Sequence, residues 1–324
     1  MQIFWNGSCI DIGDKTPKTM KFTKRKFEEQ YPDDDACIHK VFTLRYGNVT
    51  ECPECKKPFN YKRVRSRSKV FGAQKKSYQC VCCSHQIYPL AGTPFAKTKT
   101  SLKDWFYILY LFTTTRNGVS AKEIERQLDC SYPTALRMAH HIKKLMGNRT
   151  QNVLSGEVQC DEMIPSMKAK NMHSDQRKKA RAEGFTNKAM IFGMIDSQGE
   201  IIVEYVKYDD WKSIRQIMAE RVDPDSVLIT DGGKGYRDLP KWGINFKEHV
   251  VVDHHIGEYV KNGKSTNRLE GFWSQLRRML HGTHIKVSRK HLQKYIDECA
   301  TRYMLRNSGG QMFDIILQQV AKTT

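Results

Sequence analysis

No stretch of this chain stays apolar for long. The longest such run, Trp105 to Phe112, covers eight residues, far short of the roughly 20 that a membrane-spanning helix requires. Acidic residues are scarce beside basic ones: 35 Asp and Glu stand against 54 Lys and Arg, a net charge of +19. That imbalance argues against an ordinary metabolic enzyme and for a polyanionic partner. With a membrane span excluded on run length, nucleic acid is the expected partner. Residues Met1–Thr16 have no basic flank leading into an apolar core, so no secretory signal is expected. The ten cysteines are then expected to stay reduced in a cytoplasmic, nucleoid-associated setting, where paired Cys bind metal more often than they form disulfides. Internal repeats and low-complexity tracts are missing too, so the chain is not a repeat array. Its 324 residues suffice for two or three domains.

The cysteines are not scattered. Cys52-Pro-Glu-Cys55 and Cys80-Val-Cys-Cys83 make two Cys-x-x-Cys pairs separated by 24 residues. Each pair puts two thiolates on one tight turn, and two such turns complete a tetrahedral Zn²⁺ site. The region is too small to fold without metal, so one structural zinc is expected. Cys82 is a spare thiol that could replace Cys83, although only Cys80 with Cys83 repeats the first pair's spacing. Between the pairs, Lys62, Arg63, Arg65, Arg67, Lys69, Lys75 and Lys76 occur without one acid. They form a candidate contact to the phosphate backbone or a merely solvated surface.

Residues 101–149 carry helical spacing. Ser101 is placed to cap a helix through Leu102, Trp105, Phe106, Leu109 and Phe112. Ser120 opens another, with Glu123 as its capping-box partner and Ile124 and Leu128 as its stripe. After Asp129-Cys130-Ser131, a further helix over Tyr132–Met146 packs through Ala135, Met138, Ile142 and Leu145 and carries Arg137 and Lys143. Helix, short turn and helix suit a helix-turn-helix whose second helix meets DNA through those cations; an ordinary helical hairpin reads the same way.

From residue 153 the pattern changes to strands. Val153–Met163, Ala189–Asp196, Ile201–Tyr208, Val227–Thr230 and Phe246–Val252 are the expected strands, with a helix over Trp211–Val222. Ser197-Gln198-Gly199-Glu200 marks a hairpin, and the order is α/β. Met163–Lys188 is basic and insertion-like, and residues 285–324 form a helical tail around His291–Met304. Asp161 and Asp231 each close an apolar run. A later helix has Leu269, Phe272, Trp273, Leu276 and Leu280 on one side, with Asn267, Glu270, Ser274, Arg277 and His281 on the other. Two carboxylates at strand ends plus a polar group on a later helix can hold a pair of divalent ions for phosphoryl transfer. Asp231-Gly232-Gly233 taken alone is equally an ordinary turn, and adjacent His254 and His255 point apart on a strand and make a poor metal pair.

Taken together these stretches resemble bacterial insertion-sequence transposases with an N-terminal zinc ribbon before a DDE-type integrase domain, the ISXO-type group related to the Merlin transposons. The likeness runs from about Phe22 to Asn307. It rests on Cys52-Pro-Glu-Cys55, Gly92-Thr93-Pro94-Phe95, Leu102-Lys103-Asp104-Trp105, Asp161-Glu162, Thr230-Asp231, His254, Tyr259, Thr266 through Ser274, and His291-Leu292-Gln293-Lys294-Tyr295. It implies a multidomain α/β protein with a ribonuclease-H-like catalytic core preceded by a zinc ribbon and a helix-turn-helix region. The expected divisions are 1–50 (helical segment), 51–98 (ribbon), 99–150 (helix-turn-helix), 151–284 (core) and 285–324 (tail). It further implies metal-dependent cleavage and joining of DNA with two Mg²⁺ or Mn²⁺ ions, acting as a homo-oligomer on terminal inverted repeats and target DNA. Asp161 and Asp231 become the first two catalytic acids and magnesium ligands. The third is Glu270 or Asn267, since the group varies between Glu and Asn there; the carboxylate is favoured because it brings charge to a hard ion. Arg277, with Arg278 beside it, contacts DNA. Three positions depart from the group's pattern: Ser265 stands for a usual His, Pro165-Ser166 for usual Gly residues, and Arg277 for a usual Lys. None removes a metal ligand. The rival expectations are a catalytically inactive, transposase-derived DNA-binding regulator and a nuclease that cuts without joining.

Overall fold

The computed structural model describes residues 2–5, 8–11, 21–65, 76–147, 153–165, 175, 189–207, 210–231, 233–252, 260–261, 263–285, 287–308 and 310–322. It divides into two compact units, Met146–Asn307 with Met1–Pro17, and Lys18–Leu145 with Ser308–Thr324. A hairpin of β1 (Gln2–Trp5) and β2 (Ser8–Asp11) precedes both main segments.

In the unit built on Lys18–Leu145, α1 (Lys24–Gln30) and α2 (Asp34–Tyr46) start where Thr23 and Asp33 accept from the N–H groups of Lys26 and Ala36. Such caps satisfy backbone donors that a helix start leaves open. Short antiparallel strands β3 (Tyr61–Arg63), β4 (Tyr78–Cys80) and β5 (Gln86–Ile87) follow. Next comes α3 (Leu102–Thr114), capped by Ser101. Phe27, Tyr31, Phe106 and Tyr110 pack their rings together with Phe313 of the helix Met312–Lys322. This aromatic cluster is the core of the unit.

Ser120 caps α4 (Ala121–Leu128) as expected, accepting from the Glu123 N–H at 3.1 Å. The return half of the capping box is not the contact Glu123 makes; its carboxylate instead accepts from Arg126 and Gln127 one turn on. Asp129 ends α4 in the left-handed region at φ 46°, which a short polar side chain tolerates. Then α5 runs over Tyr132–Gly147.

The other unit is a five-stranded mixed sheet. Its strands are β6 (Glu157–Met163), β7 (Ala189–Asp196) and β8 (Ile201–Lys207), then β9 (Val227–Asp231) and β10 (Glu248–Val252). Spatial order is β10-β9-β6-β7-β8, with β6 to β8 antiparallel and β9 and β10 parallel to β6. This mixed α/β arrangement fits the ribonuclease-H-like core that the resemblance implied. The strands expected from Val153 and Phe246 begin later, at Glu157 and Glu248. Every residue of β7 is buried, so it reads as one apolar run without alternation.

Alternation on β6 decides what each face does. Val158 and Cys160 join Phe192, Met194, Leu228 and, from α6 (Trp211–Arg221), Ile214 and Met218 in one core. After β9 comes the short α7 (Lys234–Arg237). The opposite face receives α8 (Asn267–Arg278), which packs on β6 and β7. Leu269, Phe272, Trp273 and Leu276 are its buried side. The helix was expected to continue through His281, but it widens into a π turn over Met279–His284.

Residues 285–324 do not form one tail. Helix α9 (Arg289–Met304) packs on β8, where Gln293 accepts the Tyr205 N–H at 2.7 Å and donates to the Val203 carbonyl at 2.9 Å. Helix Met312–Lys322 belongs to the other unit. Beneath the π turn, fully buried Glu298 pairs with Arg302 at 2.9 Å and lies 3.8 Å from His284 Nε2.

Candidate metal centre and nucleic-acid contacts

Strands β6 and β9 run parallel with Cys160 opposite Thr230. The next residue on each strand is an acid, so register alone places Asp161, two residues before the end of β6, beside Asp231 at the end of β9. One carboxylate oxygen from each of Asp161, Glu162 and Asp231 lies within 4.8 Å of the others. Asp161 Oδ1 accepts the Glu162 backbone N–H at 2.8 Å, and Oδ2 accepts the Trp273 indole N–H at 2.8 Å. Asp231 Oδ1 accepts the Gly233 N–H at 3.1 Å. A Cβ on Gly233 would stand 3.0 Å from that same oxygen, so the residue's bareness lets the carboxylate fold back.

Glu162 was not anticipated in this group. Adjacent strand residues point to opposite faces, and Glu162 does face Cys160's side, toward fully buried Tyr236. At a strand end, however, a side chain one carbon longer than Asp reaches around the edge. Glu162 Oε1 and the Tyr236 hydroxyl are both buried with no hydrogen-bond partner of ordinary geometry, although the Tyr236 hydroxyl still pulls the Glu162 carboxyl down against its burial. Orphaned buried oxygens are rare. A carboxylate oxygen so placed beside two more acids fits a site for a divalent cation, which takes oxygen ligands and supplies the missing charge.

Burial raises Asp161 to about 6, with the charges of Asp231 and Glu270 adding to it and the Trp273 and Glu162 N–H groups pulling it down. Burial likewise lifts Glu162 to about 7, with Asp161 and Asp231 contributing. Both groups sit above their unfolded values, so between about pH 4 and 7 the folded chain holds protons that the unfolded chain has released. Stability contributed here therefore falls as pH rises through that window. In chelator, Glu162→Gln should melt higher than wild type at pH 8, by about 2 kcal/mol or roughly 4–8 °C, and the difference should vanish near pH 4. Mg²⁺ should raise the melting point of wild type more than that of the variant. A gap that does not change with pH would count against this account of the acids.

Glu270 and Asn267 are both exposed on the first turn of α8. Glu270 is near enough for its charge to act on Asp161, but it is not among the three acids drawn together. Arg277 and Arg278 are exposed in the helix's last turn.

The four expected cysteines do converge. Cys52 Sγ lies 3.7 Å from Cys83 Sγ and Cys55 Sγ 3.9 Å from Cys80 Sγ, all four within 4.8 Å of one another. A tetrahedron with Zn–S bonds of about 2.3 Å has edges of about 3.8 Å, so the cluster is compatible with zinc. Cys82 is exposed and outside the group, whose fourth member is Cys83. The Tyr61 hydroxyl bridges Cys52 Sγ at 3.1 Å and His85 Nδ1 at 2.9 Å, an outer contact of the kind that orients metal ligands.

Two expected DNA contacts are otherwise employed. Arg63 is only 11% exposed and is bound to Asp35 at 2.9 Å and to the Val64 and Ser77 carbonyls. Lys143 is 1% exposed, its Nζ 4.9 Å over the Phe112 ring. Neither offers phosphate an open cation. Arg65 is 79% exposed and only 3.9 Å from Asp35. Arg137 is exposed, its guanidinium 5.8 Å over Trp105. Arg67, Lys69, Lys75, Ser166, Asp253, His254, His255 and Tyr259, with most of Met163–Lys188, lie outside the described residues. Among the described residues no helix is long and apolar enough to cross a membrane.

A mixed sheet with acids on two adjoining parallel strands, and a helix with polar residues laid across it, fits a ribonuclease-H-like transposase domain. Residues 153–303 match the family model of the ISXO2-like transposase domain, so this part of the chain is similar to an insertion-sequence transposase. Among curated proteins none matches the chain.

Proposed function

We propose that the chain is a working transposase of an insertion sequence, binding the element's ends, cutting them and joining the freed ends to target DNA. The observation that carries this reading is the convergence of Asp161, Glu162 and Asp231, with Glu270 acting on Asp161 from α8. Asp161, Asp231 and Glu270 would hold two Mg²⁺ ions, with Glu162 offering a further carboxylate oxygen beside them, and the ions would supply charge to the attacking and leaving oxygens. Water attacks the phosphorus at the element's end and the bond to the 3′-oxygen breaks, leaving a 3′-hydroxyl. That hydroxyl attacks a target phosphorus, forming a new bond as the target's own 3′-oxygen leaves. The chain's task is alignment: strand register sets the two Asp, and α8 brings Glu270 and Asn267 together. Asn267 positions DNA or water beside the ligands.

In this reading Cys52, Cys55, Cys80 and Cys83 bind one structural Zn²⁺ in a ribbon over residues 51–98. Helices α4 and α5 serve as a helix-turn-helix, with Arg137 and Arg65 meeting DNA phosphates and Arg277 and Arg278 holding the strand near the acids. The protein acts as a homo-oligomer at paired ends, with the nucleoid as its place of work.

The test is cleavage and strand transfer on DNA carrying the repeats that flank the gene, across a Mg²⁺ titration. Glu270→Gln should lose cleavage by about 100-fold or more, poorly restored by excess metal, as expected for a lost charged ligand. Asn267→Ala should keep partial activity. An inactive Asn267→Ala beside a near-normal Glu270→Gln would exchange their roles. Cutting without joining in wild type would make the protein a nuclease.

A further inference from the structure

We propose that Trp273 is a positioning residue for Asp161, and that Gly193 lacks a side chain to make room for it. The proposal rests on the metal-centre reading above.

Helical spacing places Trp273 in the apolar stripe of α8, and it is 2% exposed. A buried indole still needs an acceptor for its N–H. Here the acceptor is Asp161 Oδ2, at 2.8 Å, while Oδ1 takes the Glu162 backbone N–H at the same distance. One donor on each oxygen fixes the carboxylate's plane and leaves further lone pairs on both. The chemistry of the donor matters as well. An Arg or Lys in this place would hold the carboxylate equally well but cancel the charge that attracts a cation. An indole N–H gives a charge-assisted bond and adds no charge of its own.

Gly193 stands directly opposite Asp161 on β7. Its φ is not positive, so its backbone makes no demand for glycine, and glycine weakens a strand interior. Space explains it. A Cβ there would lie 2.7 Å from Trp273 Cη2, 2.8 Å from Cζ2 and 3.2 Å from Leu269 Cδ1. The same face carries a second tie, the Leu269 N–H donating to Gln159 Oε1 at 3.4 Å. Trp273 and Leu269 thus fix α8 against β6, and with it the placement of Glu270 relative to Asp161.

The test uses the full-length protein with ¹⁵N-labelled tryptophan, whose five indoles give separate N–H signals. Trp273→Phe keeps a ring in the stripe and identifies the Trp273 signal by its loss. That signal should move in Asp161→Asn, which barely alters packing, and Mn²⁺ should broaden it ahead of the other four. In cleavage assays Trp273→Phe should raise the Mg²⁺ concentration for half-maximal rate by about 5- to 10-fold with end binding unchanged. Gly193→Ala, which crowds the ring without removing it, should reproduce that shift. A Trp273→Phe protein that is less stable but keeps wild-type Mg²⁺ dependence overturns the proposal and leaves the metal centre standing. An indole signal unmoved in Asp161→Asn also overturns it. Wild-type protein that neither cleaves nor shows Mn²⁺ broadening removes the metal-centre reading and the proposal with it.

Discussion

Asp231→Asn is expected to reduce Mg²⁺-dependent cleavage of end DNA by about 1,000-fold or more, about 4 kcal/mol of barrier, while DNA binding persists. The substitution keeps size and the Gly233 contact, since an amide oxygen also accepts the N–H at 3.1 Å. Only the charge is lost, and charge is what a hard divalent ion requires of its ligands. Asp161→Asn should behave alike, because register makes the two acids neighbours on adjoining parallel strands. The comparison also separates catalysis from stability. Asp231→Asn relieves repulsion among the acids, so in chelator it should fold at least as firmly as wild type at neutral pH, whereas Asp161→Asn gives up one of the two N–H bonds that its carboxylate accepts. Cleavage at wild-type rate in either variant would overturn the assignment.

Loss of zinc should have the largest structural effect. Cys52 is fully buried and its sulfur is one corner of the four-thiol cluster. The strands around it are three, three and two residues long, too little to bury a core of their own. Zinc binding in such small modules is worth about 10–16 kcal/mol at neutral pH, comparable to the whole stability of a domain. Purified protein should carry about one zinc per chain. Cys52→Ser should lose the metal, open residues 51–98 to hydrogen exchange and weaken DNA binding. Exchange should spread to α2, whose Phe42 stacks on Tyr78 of β4 at 3.9 Å, while the sheet of the transposase domain stays protected. Protein purified with reduced thiols and no chelator that contains no zinc would refute the assignment.

Much of this was legible in the sequence, because the signals are local. Apolar runs ending in Asp161 and Asp231 gave the two strands that carry these acids, although β6 runs on to Met163; paired Cys spacing gave the four-thiol cluster, and helical spacing gave α8. What was not legible depends on partners far along the chain. Arg63 looked like a loop cation until Asp35 was found to claim it. Lys143 carries a charge that composition assigns to the surface, yet its stem and ammonium pack on Phe112. Glu162 obeys the period-two rule in facing Cys160's side, and only the reach of its longer side chain near the strand's end brings its carboxylate to the other two acids. Trp273 was read by its apolar ring alone, although its single N–H makes the contact of greatest consequence.

The placement of helix Met312–Lys322 bears on how the protein is made. This helix packs on α2 and α3, and Phe313 completes their aromatic cluster. The sheet unit is encoded almost without interruption from Met146 to Asn307 and can assemble as soon as that stretch leaves the ribosome. The unit translated first must wait with its aromatic core open until residue 322 has emerged. Order of synthesis and order of folding are therefore reversed. A chaperone or a protease working on nascent chains would meet the half with the four-cysteine cluster as the late, exposed partner, and a premature stop anywhere after Asn307 would leave the acids folded and that half unfinished.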